Sequence, residues 1–264
     1  MSLDILYYGV MGLSIVLFFL TGTVLIYKAR KMNQNNLSFL GVGFLLMILL
    51  FLLIGFLEGD VLGISKWAYI QTLNFIVLLV ILLFVEKTFY KDQKSPLIYF
   101  VLIVTTCFIV ILGYQFLKDF SNFEGTDLLD LLAQFIEIVW SFATFGWLGY
   151  ASLKSYNTLK DENIEPWISK RIYLVSFSAF IEMFYPVPEF IRVFFKIPLA
   201  DTTDIVSMVL WYSIVVIILI FILIQFFAWI MPSWFKNYLN RGYVPPEEKL
   251  EELSEEEIMK QLEE

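Results

Sequence analysis

The chain contains no histidine and a single cysteine, Cys107, and only 17% of its 264 residues are charged. Without histidine there is no imidazole general base, no His-ligated haem and no zinc site built on imidazole. One thiol closes no intramolecular disulfide and builds no metal centre. Cys107 lies in an apolar run, where it reads as a small core residue. No nucleophile beside an activating base is visible, so no enzymatic activity is expected, and neither a cofactor nor a nucleic-acid partner. Basic residues are also missing from Met1 to Asp4, so the first apolar stretch reads as a spanning helix rather than a cleavable leader.

What is present is hydrophobic: 59% of the residues, too apolar for a surface facing water. A membrane-spanning helix needs about 20 mostly apolar residues. Seven such stretches lie at 5–27, 37–57, 67–85, 97–117, 129–152, 172–194 and 204–231, and they leave no room for a folded soluble domain. A transmembrane β-barrel would instead show short strands alternating apolar and polar. Phe75 to Val85 is apolar on every face, so the expected fold is an all-α bundle of seven transmembrane helices over 1–231.

The fifth stretch carries Gln134, Glu137, Ser141 and Thr144, and leaving it out would give six helices. Positive charge decides, because Lys and Arg near helix ends stay in the cytoplasm. With seven helices and the N-terminus outside, all but Lys66, Lys118, Arg192 and Lys196 of the 18 basic residues fall on the cytoplasmic side. Six helices scatter the last eight, so seven are expected, in the cell membrane. The outer loops then hold ten acidic residues, among them Asp127, Asp130, Glu189 and Asp204, a balance that would concentrate cations or simply reflect exclusion of Lys and Arg from exported loops.

After the seventh span, Pro232 opens a short interfacial helix over 232–242 with Trp234, Phe235 and Tyr238 suited to the headgroup boundary. An acidic cytoplasmic tail occupies 243–264. Ser254 and Glu257 fit a capping box there, and nine glutamates between 247 and 264 favour a solvated segment over a docking helix.

The informative positions are polar residues inside the spans. Gln134, Glu137, Ser141 and Thr144 share one face of the fifth helix, and Ser178, Glu182, Tyr185 and Glu189 share one face of the sixth. Facing lipid, such stripes would be strongly unfavourable, so both should point into the bundle. At 1.5 Å per residue, Glu137 lies roughly 12 Å below the outer boundary and Glu182 near mid-membrane. Gln71, Asn74, Gln115, Ser207, Trp211 and Tyr212 fall in the same outer half, which points to a polar cavity open outward above an apolar, closed inner half. Ser141, Thr144, Ser176 and Ser178 are read as hydrogen-bond glue between helices. Glu137 and Glu182 are candidate ligand or ion sites, with Gln134, Gln71, Asn74, Tyr185, Trp211 and Tyr212 around them. Arg192 continues the face of Glu182 and Glu189 and is a possible ion-pair partner. Pro186 and Pro188 either kink the sixth helix and free carbonyls beside these acids or end it early.

Known seven-helix families fit poorly. Retinal proteins need a lysine in the seventh helix, and 204–231 has none. Where G-protein-coupled receptors carry an acidic-Arg-Tyr triplet, this chain reads Glu86-Lys87-Thr88, and it lacks their Asn-Pro-x-x-Tyr motif. Sugar facilitators place prolines in both repeats, whereas spans one to three here have none. The leading expectation is a sensor or receptor-like protein that binds a small ligand or cation in the outer cavity and signals through a separate cytoplasmic protein. The alternatives are a cation- or proton-coupled transporter and an accessory subunit of a larger membrane complex.

Overall fold

The computed structural model describes residues 3–56, 66–90, 94–120, 127–160, 164–197 and 204–243. The Ser254–Glu257 capping box and most of the acidic tail lie outside the described residues, as do Glu58, Asp60, Glu124 and Asp201 of the acidic rim. All described regular structure is helical, and seven helices are long and apolar enough to cross a membrane. They are α1 (Leu3–Lys31), α2 (Asn35–Phe56), α3 (Lys66–Phe89) and α4 (Leu97–Phe120), a fifth span in two parts, a sixth in two parts, and α9 (Ile205–Ile230). The fifth span runs as α5 (Asp127–Ser141), one π-helical turn (Phe142–Gly146) and α6 (Trp147–Leu159). The sixth runs as α7 (Pro166–Glu182) and α8 (Val187–Phe194), and α10 (Ser233–Leu239) follows the last span.

The two divided spans outrun the apolar stretches that announce them. The fifth reaches Leu159 instead of stopping at 152, and the sixth begins at Pro166 instead of 172. Backbone hydrogen bonding does not stop at a hydropathy boundary, and Lys154, Lys170 and Arg171 have stems long enough to carry their charges to the interface. Pro166 is suited to its place because the first helical residue has no use for an N–H. These three cations therefore sit on helices, not in a loop.

Each span packs against its neighbour in sequence, and α9 closes the ring against α1 while also packing on α7 and α8. Small residues set the tightest crossings, as membrane interfaces require. A Cβ on Gly22 would stand 2.9 Å from the carbonyl oxygen of Gly41, and one on Gly41 only 2.8 Å from Ile26 Cγ1. Between α6 and α7, a Cβ on Gly149 would meet the Phe180 ring at 2.9 Å, and the Ser176 hydroxyl donates to the Gly149 carbonyl at 2.7 Å.

Away from the N-terminal end of the bundle the interior is packed and mainly apolar, with Val77, Leu78, Leu82, Phe84 and Val85 fully buried and Ser152, Ser176, Ser178 and Gln225 buried among such residues. Phe75 stacks on Phe108 at 4.1 Å, and Trp140 meets both rings edge-on. The outer surface is also apolar, with Ile109 and Val209 about three-fifths exposed, as a lipid-facing surface must be.

At the C-terminal end Met231 takes a left-handed conformation and turns the chain out of α9 into α10. The interfacial helix is shorter than the 232–242 expected, because Asn240 leaves helical geometry to cap a neighbour. Its Oδ1 accepts from the Trp167 amide at 3.1 Å, and its Nδ2 donates to Glu165 at 3.2 Å. Trp167 Nε1 donates to the same carboxylate, and Lys236 lies 3.5 Å from it. The Trp167 and Asn240 hydrogen bonds hold the Glu165 carboxyl below the usual glutamate range.

Candidate functional site

Proline interrupts the sixth span at its buried acid. Pro186 has no amide for the Glu182 carbonyl and Pro188 has none for that of Phe184, so the helix breaks after Glu182 and restarts at Val187. The chain kinks and resumes; it does not end there. The carbonyls released are taken up again locally. Tyr185 N donates to Glu182 O at 3.0 Å and Val187 N to Phe184 O at 3.0 Å. The Met183 carbonyl receives the Ser141 hydroxyl from the fifth span at 3.1 Å. The break thus supplies a change of direction rather than bare carbonyls.

The fifth span is irregular at the same level. Its π-helical turn starts immediately after Ser141. It faces the break directly: Phe142 packs edge-on against Phe184 at 5.3 Å, and a Cβ on Gly146 would lie 3.9 Å from Met183 Sδ. π turns inside α-helices recur at functional positions. Two neighbouring spans therefore depart from regular helix face to face, beside both glutamates.

Four of the expected polar residues meet there. Gln71 Nε2 donates to Glu137 Oε1 at 2.5 Å, joining α3 to α5. Asn74 Nδ2 donates to the Tyr185 hydroxyl at 3.2 Å, joining α3 to the break. Tyr185 lies close enough to both Glu137 and Glu182 to interact electrostatically with each. Glu182 is only 1% exposed, and its Oε2 has no partner among the described residues. The buried Oε1 atoms of Gln71 and Gln134 are also unpartnered acceptors, while Trp140 Nε1 and Thr144 Oγ1 are buried without partners. Buried polar atoms of this kind are uncommon because each costs about 1–3 kcal/mol. Among the described residues, Thr21, Glu86, Ser152 and Arg171 hold further buried atoms without partners, so the five named here are part of a wider set. Surplus carboxylate and amide oxygens suit a proton, a small cation or a ligand rich in N–H and O–H donors.

Arg192 is elsewhere. Its Nη2 and Nε bind Glu189 at 2.6 and 2.8 Å, and its Nη1 donates to the Ile197 carbonyl at 3.0 Å. The break in the sixth span interrupts the face that a continuous helix would have shared among Glu182, Tyr185, Glu189 and Arg192, leaving Arg192 at the end of α8. Ser207, Trp211 and Tyr212 on α9 and Gln115 on α4 are each engaged with partners. The acidic rim is largely paired where it is described: Asp130 binds Lys118 at 2.9 Å and the Tyr114 hydroxyl at 2.7 Å, Lys196 binds Asp127, and Asp204 caps α9.

Three of the four hydroxyls read as glue bond between or within helices: Ser141 to Met183 O, Ser176 to Gly149 O, and Ser178 to Val175 O. Thr144 does not. Gln225, which helical periodicity does not single out, donates to Ser178 Oγ at 2.8 Å and accepts from Trp229 Nε1 at 2.7 Å. A lone amide four residues before a tryptophan in an otherwise apolar span was the available signal. Among the described residues no group of three or more metal-ligating side chains converges. Set against known protein families, characterised proteins and solved structures, the chain matches none.

Proposed function

We propose that this chain is a seven-helix sensor or receptor-like protein of the cell membrane, N-terminus outside, which takes up a small cation or donor-rich ligand at Glu182 and Glu137. A separate cytoplasmic protein reads the resulting change. The observation that carries this reading is Glu182: a carboxyl 1% exposed, with one oxygen unpartnered and no basic residue bound to it among the described residues, between a broken helix and a π turn. A charge at membrane depth costs about 3 kcal/mol even on the milder scales, so an acid kept there without a counter-ion points to a task beyond packing. Ligand occupancy acts on the break and the facing π turn, the two elements whose backbone is already irregular, and the closed C-terminal half carries the shift as packing. The orientation rests on the concentration of basic residues at the C-terminal end.

A cation- or proton-coupled transporter is the second reading, favoured by the same broken helix at the depth of a buried acid. Thermal melts of the purified protein in sodium, potassium and methylammonium chloride, across a pH series, test both. One cation or the proton should shift the melt of the native protein but not that of Glu182→Gln. Equal curves for the two proteins under every condition would overturn the proposal. Uptake of the responding ion into proteoliposomes would select transport. Orientation is checked by cysteines at Ser121 and Asn157 in a background lacking Cys107: an impermeant thiol reagent applied outside should label the first only.

A further inference from the structure

The C-terminal end of the bundle holds two cations that form no ion pair with a carboxylate among the described residues. Lys28, in the last turn of α1, donates to the Trp229 carbonyl at 2.6 Å. Arg171, one turn into α7, lies 5.5 Å from the Trp229 ring and 5.4 Å from the Trp167 ring. Both are partly buried, and they are near enough to interact electrostatically. Neither forms an ion pair with a described residue. The nearest acid along the chain, Glu165, is already bound by Trp167, Asn240 and Lys236.

Donor capacity exceeds use. Lys28 spends one of its three donors on a described residue, and Arg171 offers five and makes no hydrogen bond to a described residue, its Nε being buried without an acceptor. Two like charges converging on one tryptophan repel unless an anion lies between them. The guanidinium fork matches tetrahedral oxyanions, and basic pockets between spanning helices at the interface hold lipid headgroups. We propose that Lys28 and Arg171 form a phosphate-binding site between the first, sixth and seventh spans, occupied by the headgroup phosphate of an anionic membrane lipid. The exposed Trp234 and Tyr238 of α10, at the same end, place this corner at the headgroup boundary.

The test is lipid titration of the purified full chain in detergent, followed by melting temperature and by native mass spectrometry. Phosphatidylglycerol should raise the melt and remain bound, whereas phosphatidylcholine should do neither. Lys28→Gln and Arg171→Gln should each weaken phosphatidylglycerol retention about tenfold, the loss of one charge-assisted bond, with Arg171→Lys retaining part of it. The exposed Lys170→Gln should leave it unchanged. Should Arg171→Gln fail to fold, Lys28→Gln carries the test alone. An equal shift from inorganic phosphate that is lost in Lys28→Gln would support the site and assign it the free ion. Equal retention by native protein and Lys28→Gln, or equal stabilisation by the two lipids, would overturn the proposal.

Discussion

Ser178 and Glu182 stand one turn apart on the same face of α7, both buried, and their surroundings are opposite. Below, Ser178, Gln225 and Trp229 form a closed chain in which each named donor meets an acceptor across α7 and α9. Above, Glu182 keeps an unpartnered oxygen. A satisfied network stabilises and fixes one arrangement of helices; an unsatisfied one costs stability and leaves room for a ligand to supply what is missing. On the proposed function, the boundary between structural and functional polarity in this bundle runs between those two residues.

The contrast predicts opposite signs. Gln225→Leu removes the middle of the closed chain, strands Trp229 Nε1 and takes away the bond Ser178 Oγ accepts, leaving only its donation to Val175 O, so unfolding in mixed micelles should show a loss of about 2 kcal/mol. Glu182→Met replaces an unpaired acid with an apolar side chain of similar length and should raise stability by about 1 kcal/mol while removing any cation or proton response, the usual exchange of function for stability. If both substitutions destabilise alike, Glu182 belongs to the structural network and the contrast fails. Ser141→Ala tests the seam between the regions. The Met183 carbonyl would lose its partner from the fifth span, and a cost of about 0.6 kcal/mol, typical of hydrogen bonds between membrane helices, is expected. Its response to cations should be altered and not abolished.

Much of this was legible in the chain. Seven apolar runs and the excess of Lys and Arg at alternate ends define the bundle, since the bilayer leaves few alternatives. The grouping of Glu137, Gln71, Asn74 and Tyr185 follows from helical spacing and depth, and the structure joins them by two direct hydrogen bonds. The bonding of Arg192 was not legible, because an unbroken sixth helix would carry its side chain along the Glu182 face; the phase change at Pro186 depends on how the released carbonyls are rebonded. The π turn left no mark either, as one extra residue in a helix has no compositional signature. Gln225 was overlooked because a single amide barely alters an apolar run, although in such a run it is the residue most in need of a partner.

The smallest effect belongs to the corner where α10 meets α7, far from both networks. Glu165 accepts from Trp167 Nε1 and from Asn240 Nδ2, and these bonds favour its ionised form, holding its carboxyl below the usual glutamate value of about 4.3. A group whose folded-state value is depressed stabilises the fold above the unfolded value, and that contribution is lost as the pH falls through the folded one. The docking of α10 should therefore be unaffected by pH near neutrality and should loosen only in the acid range, as the carboxyl protonates below the usual glutamate value. Because Glu165 is nearly half exposed, with Lys236 only 3.5 Å away, salt screening keeps the energy small. Hydrogen exchange at the Trp167 amide, which donates to Asn240 at 3.1 Å, reports this docking without interference from the buried acids. Its protection should fall on acidification in the native protein, and Glu165→Gln should remove the pH dependence at that amide. Were protection to fall equally in both, acid would be acting through the bundle itself, and the separation of the corner from the Glu182 region would be lost.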